Sequence, residues 1–249
     1  MKTSSKQSLK AFFASRPLLA LWAARVRSWV LTLPVLWFRL RYFATAYVSL
    51  SVKLVGASRI KLGINTAIGA RSWLNVNNNK AAEPTLVIGD NSFIGQQNYF
   101  GVGKKIVIGD YCLTAKDCAF IGAGHVYDDP MRPYGTTGVT EENIIKVGVN
   151  CFFGVGAKVI GNVTIGHGCV IGAGAEVRSD IPPFSLVVGS PAKVIKRYDF
   201  ANSAWVKWPI DADYSEGMDE AEYLTYLKQH TGAPLLHLSA AAGCLRDTA

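Results

Sequence analysis

The chain has 249 residues, of which 49% are hydrophobic and 18% charged, so it can bury a core and is not a disordered polyelectrolyte. Its net charge of +8 is unevenly placed: residues 1–82 contain 13 Lys and Arg and no carboxylate, whereas residues 83–249 contain 13 Lys and Arg and 18 Asp and Glu. The five cysteines are an odd number without CxxC spacing, which argues against a disulfide framework or a zinc ribbon.

The N-terminal segment, residues 1–57, is basic and rich in apolar residues. From residue 16 to residue 55, arginines alternate with Trp, Phe and Tyr, a composition typical of helices that lie in the membrane interface. No uncharged apolar run approaches the roughly 20 residues that a membrane-spanning helix needs. Because the arginines lie among so many apolar residues, nucleic-acid binding is a less favoured interpretation of this segment. We expect two or three helical pieces that contact an anionic membrane, with a helical cap on the rest of the fold as the alternative.

A six-residue repeat governs residues 58–198. A residue that is almost always aliphatic or aromatic recurs every six positions, and glycine follows it in 10 of 15 cases. The residue two positions earlier is mostly small or apolar, and side chains two apart on a strand share a face, so both columns are expected to point inward. Glycine lets the backbone turn a corner, and three corners per turn predict a triangular solenoid. The repeat positions are Leu62, Ile68, Leu74, Ile88, Ile94, Phe100, Ile108, Thr114, Phe120, Val147, Phe153, Val159, Ile165, Ile171 and Val177.

Three insertions interrupt the repeat, each after a complete set of three positions, which predicts five intact coils. The longest insertion, residues 121–146, is where we expect a functional loop, because long excursions from a regular scaffold usually have a role. Gly124 and His125 open its central part. A neutral imidazole, with an ordinary pKa of about 6.5, can accept and donate a proton near neutral pH. His125 is therefore a candidate for acid–base chemistry.

The other reactive side chains of the repeat are predicted to be structural. Cys112, Cys118, Cys151 and Cys169 fall in the small inward column and are interpreted as core residues. His167 follows a corner glycine and is expected to be solvated or at an interface. Two histidines without paired spacing do not supply a three-histidine zinc site, so no metal is expected.

The chain ends with a tail, residues 199–249, in which Asp219–His230 predicts a short helix. Before the tail, the solenoid closes with the run DIPPFSLVVGSPAKVIKR, residues 180–197. This run and the repeat resemble those of the hexapeptide acyltransferases, most closely the sugar and antibiotic O-acetyltransferase branch and, within it, enzymes of bacterial surface-polysaccharide biosynthesis. The resemblance implies a mainly β fold: a left-handed parallel β-helix of about five coils with helical extensions. It also implies a homotrimer with active sites at subunit interfaces.

The resemblance further implies acetyl-CoA as donor, direct transfer without a covalent acyl-enzyme, and His125 as the catalytic base. Asp128, Asp129 and a backbone carbonyl all stay open as the group that orients the imidazole. Relatives that act on galactosides or maltose carry asparagine where this chain has Gly95, which argues against simple mono- or disaccharide acceptors. The residues expected to contact the acceptor are Gln97, Tyr127, Asp128, Asp129 and Arg132.

The resemblance also implies that the coenzyme lies along the C-terminal coils, where small residues with free backbone amides would take the pantetheine arm and basic residues the nucleotide phosphates. These residues are Gly154, Gly156, Ala157, Gly172, Ala173, Gly174, Lys193, Lys196 and Arg197. The leading hypothesis is an O-acetyltransferase that modifies a surface polysaccharide, or its lipid-linked precursor, at the cytoplasmic face of the membrane. A streptogramin-type antibiotic O-acetyltransferase and a non-catalytic β-helix scaffold at the membrane are the alternatives.

Overall fold

A computed structural model of the chain describes residues 33, 35–77, 83–209 and 217–231. The chain divides into two compact units, Met1–Arg41 and Tyr42–Ala249. In the first unit the described residues from 35 onward are helical, and this helix exposes Leu36, Trp37 and Leu40. Within these ranges no helix is long and apolar enough to cross a membrane. The helical pieces predicted before residue 33, and the predicted tail beyond residue 231, lie outside the described residues.

The second unit is a three-sided solenoid of short, mostly parallel strands. Successive strands join three sheets in rotation, which we name faces A, B and C. Face A contains β1 (Ala46–Val48), β4 (Thr66–Ile68), β7 (Phe93–Ile94), β10 (Leu113–Thr114), β15 (Phe152–Phe153), β18 (Val170–Ile171) and β20 (Ser185–Val188), followed by antiparallel β21 (Lys193–Asp199) and β22 (Ala204–Lys207). Face B contains β2 (Lys53–Val55), β5 (Trp73–Val76), β8 (Tyr99–Val102), β11 (Ala119–Ile121), β16 (Lys158–Ile160) and β19 (Glu176–Val177). Face C contains β3 (Ile60–Leu62), β6 (Leu86–Ile88), β9 (Lys105–Ile108), β14 (Ile144–Val147) and β17 (Val163–Ile165).

The expectation of a mainly β chain built from parallel sheets is confirmed. We call β1 and β2 the basal turn, and number the coils that follow from 1 (β3 to β5) to 5 (β17 to β19). The solenoid begins earlier than the sequence predicts, because the basal turn precedes residue 58. Val48 and Leu54 keep the six-residue spacing, but Ser49 and Val55 follow them in place of glycine. The pattern therefore does not mark this turn.

The repeat positions form the core of the solenoid. All 15 side chains are at most 5% exposed, which confirms the inward column. Phe120 lies at its centre, stacked on Phe100 with ring centroids 4.8 Å apart and edge-on to Phe153 at 5.1 Å. Full burial of such a side chain contributes roughly 1.5–3 kcal/mol, so this column stabilises the register between coils.

The three insertions all leave the solenoid at one corner. They lie between face B and face C, after β5, β8 and β11. The other two corners are regular, and each has a residue of positive φ in successive coils, such as Asn91 between faces C and A (56°) and Gln97 between faces A and B (58°). Glycine is needed where coils touch, because a Cβ on Gly95 would lie 2.5 Å from the Ala115 carbonyl oxygen. Two corners thus keep a constant shape and the third is free to vary.

A ladder of carboxylates stabilises the corner between faces C and A. The backbone N–H of Ile64 donates to Asp90 Oδ1, and the N–H of Asp90 donates to Asp110 Oδ1, both at 2.8 Å. In coil 4 the N–H of Val149 donates instead to Glu220 Oε1 at 3.0 Å. Glu220 belongs to helix α1 (Glu220–His230) in the tail. The tail therefore supplies the carboxylate acceptor that an aspartate of the next coil supplies in the earlier coils.

The same helix covers His167, for which the expectation of a solvated side chain is wrong. His167 is only 6% exposed, its Nε2 lies 3.1 Å from the Met218 carbonyl oxygen, and its ring packs against Phe184 and Tyr223. Tyr223 also accepts a hydrogen bond from the Asn150 side chain. The corner is outward in the solenoid, but the tail that folds back over it removes it from solvent.

Candidate active site

His125 lies on a hairpin that the insertion after β11 builds. Strand β12 (Gly124–His125) pairs antiparallel with β13 (Val139–Thr140), which places His125 opposite Val139. The Thr140 hydroxyl donates to the Gly124 carbonyl at 3.0 Å. At the foot of the loop, the Asn143 side chain donates to the Gly122 carbonyl at 2.9 Å. The histidine is thus held on an ordered hairpin at the B-to-C corner of coil 3, with its side chain exposed.

In the described part of a single chain, no side chain orients the His125 ring by a hydrogen bond. Asp129 is engaged elsewhere, because its Oδ1 accepts the backbone N–H of Met131 at 3.0 Å. Asp128 is exposed without such a contact to the imidazole. The described residues of one chain therefore do not supply the group that orients an imidazole base.

Four of the five expected acceptor residues share the hairpin with His125. Tyr127 is 76% exposed, and Asp128, Asp129 and Arg132 are exposed beside it. Gln97 lies apart from them, at the A-to-B corner of coil 2. Face B separates the two corners, and a four-residue strand such as β8 spans roughly 13 Å. One chain does not bring Gln97 next to His125.

The residues expected to bind coenzyme lie at the A-to-B corner of coils 4 and 5. This corner is open: a Cβ on Gly156 or Gly174 would meet no heavy atom within 4 Å. Most amides of the set are not free, however, since the N–H groups of Gly154, Gly156, Ala157, Gly172 and Gly174 donate to carbonyls of the solenoid. Within the described residues only the Ala173 N–H of this set lacks an acceptor. The expectation of several free amides is wrong because the ladder between coils uses them.

The basic residues expected at the phosphates separate into two groups. Lys193 and Lys196 are exposed on β21, but Arg197 is 7% exposed, its Nη2 donates to the Pro183 carbonyl at 3.1 Å, and its guanidinium lies over the Trp208 ring. Arg197 therefore packs against the tail, and the expectation that it contacts a nucleotide phosphate is wrong.

Strand pairing identifies Lys207 as a basic residue that sequence reasoning missed. On β22, the exposed Lys207 is directly opposite Lys196. Like charges at such a position repel each other unless an anion neutralises them. No signal in the sequence could have found this pair, because it depends on the register of two antiparallel strands.

The four described cysteines are buried in the solenoid, as the core interpretation predicts. Burial raises the pKa of Cys118 to about 11 and raises that of Cys151 well above the ordinary thiol value. Because only the thiolate is a nucleophile, these groups are unreactive near neutral pH. The pKa of Cys169 is instead lowered, chiefly by a hydrogen bond with the Cys151 side chain. Since all four side chains are at most 1% exposed, none of them is accessible to form an acyl-enzyme.

Thiol alkylation tests this interpretation. At pH 8 the native protein should resist iodoacetamide at Cys112, Cys118, Cys151 and Cys169, because all four side chains are at most 1% exposed and the reagent cannot reach their sulfur atoms. Unfolding in guanidinium chloride removes the burial, and all four should then react. Peptide mass mapping measures both states, and rapid modification of any one of them in the native protein would contradict a core role.

Comparison with known proteins points to acetyltransferases. No protein-family model matches the chain. It is 35% identical over 127 residues to a probable acetyltransferase of Mycobacterium tuberculosis, covering 50% of this chain and 42% of that protein. A Staphylococcus aureus protein, also named provisionally as an acetyltransferase, is 40% identical over 113 residues, covering 45% and 55% of the two chains. The chain thus spans about half the length of these curated relatives.

Among solved structures, the chain is similar to AntD, an N-acyltransferase from Bacillus cereus in complex with dTDP and 3-hydroxybutyryl-CoA. The TM-score is 0.53 at 19% identity, with 64% of this chain and 86% of AntD covered. At this identity the likeness shows a shared fold.

Proposed function

We propose that this chain is a hexapeptide-repeat acyltransferase and that it transfers an acetyl group from acetyl-CoA to a sugar hydroxyl of a surface polysaccharide or its lipid-linked precursor. The observation that carries the proposal is the exposed His125 on an ordered hairpin, beside Tyr127, Asp128 and Arg132, in a solenoid whose relatives are named acetyltransferases. Polar and aromatic side chains of this kind suit a sugar, and the imidazole suits proton transfer.

In the proposed mechanism, neutral His125 accepts the proton of the acceptor hydroxyl as its oxygen attacks the thioester carbonyl. The carbon–sulfur bond then breaks, and the imidazolium returns the proton to the coenzyme thiolate. A new ester and a free thiol result, and the histidine is neutral again. Transfer is direct, since the four described cysteines are buried and offer no accessible nucleophile.

The proposed functional assembly is a homotrimer, and the outer surface of face A supports it. One outward column on this face contains only apolar residues, in register from strand to strand. The matching columns of faces B and C contain lysines at several positions. An apolar column on one face only is what a subunit interface requires. The column comprises Tyr47, Ala67, Phe93, Leu113, Phe152, Val170 and Leu186.

Assembly would also complete the site. In one chain, face B separates the A-to-B corner of Gly156 and Gly174 from the B-to-C corner of His125. The donor corner borders the apolar face, so a second copy on that face can bring its His125 hairpin to the coenzyme. The group that orients the imidazole would then also come from the neighbouring copy.

Phe152→Asp should dissociate the trimer. Phe152 is 40% exposed within the apolar column, and a carboxylate there must be desolvated for the interface to form. Sedimentation velocity should show a shift to monomer, with acetyl transfer lost. Thr164→Asp, exposed on face C, is the matched control and should leave the sedimentation unchanged. A Phe152→Asp protein that stays trimeric would remove face A as the interface.

We propose that the basic N-terminal segment, residues 1–57, keeps the enzyme peripheral on the cytoplasmic face of the membrane. Its described helix exposes Leu36, Trp37 and Leu40, and Arg41 lies over the Trp37 ring at 5.4 Å from the centroid. An apolar stripe with arginines among aromatic rings matches the interface of an anionic bilayer.

Calorimetric titration with acetyl-CoA tests the proposed function first, since a non-catalytic scaffold predicts no binding. Mass spectrometry of the surface glycan, with and without His125, then reports the acyl mass and its site. Mild alkali removes an O-acetyl group and leaves an N-acetyl group, so the linkage is tested in the same experiment. Turnover of streptogramins, with no change in the glycan, would favour the antibiotic-modifying alternative.

A further inference from the structure

Two aromatic side chains lie side by side on the outer surface of face B. Trp73 of β5 and Tyr99 of β8 are paired in register, and their ring centroids are 5.3 Å apart with an angle of 63° between the ring planes. Trp73 is 42% exposed and Tyr99 is half-buried. The two rings form a shallow apolar step that is open to solvent, which we call the aromatic step.

Gly101 determines how the Tyr99 ring lies on this surface. Both residues point outward from β8, two positions apart. A Cβ on Gly101 would lie 2.8 Å from the Tyr99 hydroxyl oxygen and 3.0 Å from the ring carbon Cε1. The ring therefore extends along β8 over Gly101, toward the B-to-C corner, in space that any other side chain would fill. Asn75 Nδ2 of β5 lies 3.5 Å from the Tyr99 hydroxyl, and these contacts together hold the ring in one place.

The surface beyond the aromatic step leads to the catalytic hairpin. In coil 3 the residue paired with Tyr99 is Ala119 of β11, whose side chain is only a methyl group. Strand β11 then continues into the insertion that carries His125. From β5 to β11 the distance is two strand spacings, or about 10 Å at about 4.8 Å per strand. An extended ligand that rests on the step can therefore reach the hairpin along face B.

Two amide side chains lie near the aromatic step. Gln97 is at the A-to-B corner, two residues before Tyr99 begins β8. Its Oε1 atom is buried and has no hydrogen-bond partner among the described residues, whereas nearly all buried polar atoms in proteins have one. The second amide, Asn75, is half-buried on β5. Hydrogen-bonding groups are thus present at the edges of an apolar surface.

Apolar rings with amides at their edges match the chemistry of a saccharide. A pyranose ring has C–H groups on its faces and hydroxyl groups around its rim, so an aromatic ring takes the face and an amide takes the rim. A second copy of the chain is a poorer match. The column that contains the step also contains the exposed Lys53 and Lys158, and the cores of subunit interfaces are depleted in lysine.

We propose that the aromatic step, with Gln97 and Asn75, binds the saccharide chain of the acceptor at sugars some distance from the reacting hydroxyl. This inference rests on the proposed function and narrows its substrate class to oligosaccharides or polymers long enough to cross face B. Gln97 and His125 then contact the same acceptor although they lie at different corners. The step supplies affinity, and the chain bound there holds the reacting sugar beside the imidazole.

Affinity electrophoresis tests the step without requiring catalysis. The probe is the surface polysaccharide of the cells that produce the protein, treated with mild alkali to remove ester groups and cast into a native gel. Wild-type protein should be retarded, and Trp73→Ala should bind about tenfold more weakly because the exposed indole face is lost. Tyr226→Ala, which removes a ring that is 48% exposed on α1, is the matched control and should be retarded like the wild type.

A second variant, Gln97→Asn, covers the case in which Trp73→Ala is not folded by circular dichroism. Asparagine tolerates the φ of 58° at this corner, and its shorter side chain withdraws the amide, so binding should again weaken several-fold. Wild-type protein that is not retarded would overturn the site, and so would a folded variant of either kind that is retarded like the wild type. If Trp73→Ala changed the assembly state in sedimentation velocity, the step would be a subunit interface and the proposal would be overturned.

Kinetics separates this site from the proposed reaction. With the polysaccharide as acceptor, Trp73→Ala should raise KM about tenfold and leave kcat near the wild-type value, whereas transfer to a disaccharide fragment of the same polysaccharide should be unchanged. An equal effect on polymer and fragment would overturn binding at a distance from the reacting hydroxyl. His125→Ala should bind the polysaccharide like the wild type. Trp73-dependent binding without any transfer would contradict the proposed function alone, so the two failures are distinguishable.

Discussion

His125→Ala should lower acetyl transfer by at least about a hundredfold, because a general base contributes roughly 10²–10⁴-fold to the rate. Acetyl-CoA binding should persist, since His125 lies on the B-to-C hairpin and not at the open A-to-B corner. The measurement is initial-rate transfer under saturating donor, paired with calorimetric titration of the coenzyme. A loss of rate with retained binding assigns the histidine to the chemical step.

His230→Ala is the matched control for this experiment. His230 is exposed on α1, where its Nδ1 lies 2.8 Å from the Tyr226 carbonyl. It lies on the tail helix, outside the hairpin and the donor corner, so its removal should leave the rate near the wild-type value. Near-normal turnover by His125→Ala would remove His125 from the mechanism and leave the reaction without its proposed base.

Phe120→Ala is expected to cost about 3–5 kcal/mol of unfolding free energy, the usual range for deleting a buried aromatic ring. The ring is fully buried and contacts both Phe100 and Phe153, so no neighbour can fill the space without leaving its own place in the column. Urea unfolding followed by circular dichroism measures the change. Since β11 leads directly into the catalytic insertion, transfer activity should also fall.

Tyr127→Ala provides the comparison for stability. This ring is 76% exposed on the hairpin, and surface substitutions usually change stability by less than about 0.5 kcal/mol. If Phe120→Ala and Tyr127→Ala had equal effects on unfolding, the aromatic column would not be the core that stabilises the coils.

The periodic features could be read from the sequence because each depends on residues close together in the chain. Alternation of two and repetition of six assign a side chain to the inside whatever the neighbouring coils contain. All three insertions were found in the same way, since each follows a complete set of three repeat positions. The position of His125 at the opening of the longest insertion needed no knowledge of contacts between coils.

Other parts of the site depend on contacts between distant segments. The strand assignments of the structure are needed to place Gln97 and His125 at different corners of the solenoid. The family resemblance implies that Arg197 contacts a nucleotide phosphate, yet its guanidinium lies over the Trp208 ring of the tail and donates to the Pro183 carbonyl. The backbone N–H groups at the A-to-B corner of coils 4 and 5 were predicted to be free. The repeat does not reveal the carbonyl groups to which most of them donate.

The sequence by itself determined a mainly β solenoid, its inward column, its corners and the insertion that presents His125. Only the tertiary structure decided that face A is the apolar face, that α1 buries His167, and that Lys207 lies opposite Lys196. The physical reason is the distance along the chain between the residues that interact. The repeat shows which side chains face the interior of their own coil, whereas the faces and the tail contacts are formed by residues that meet only after the coils have stacked.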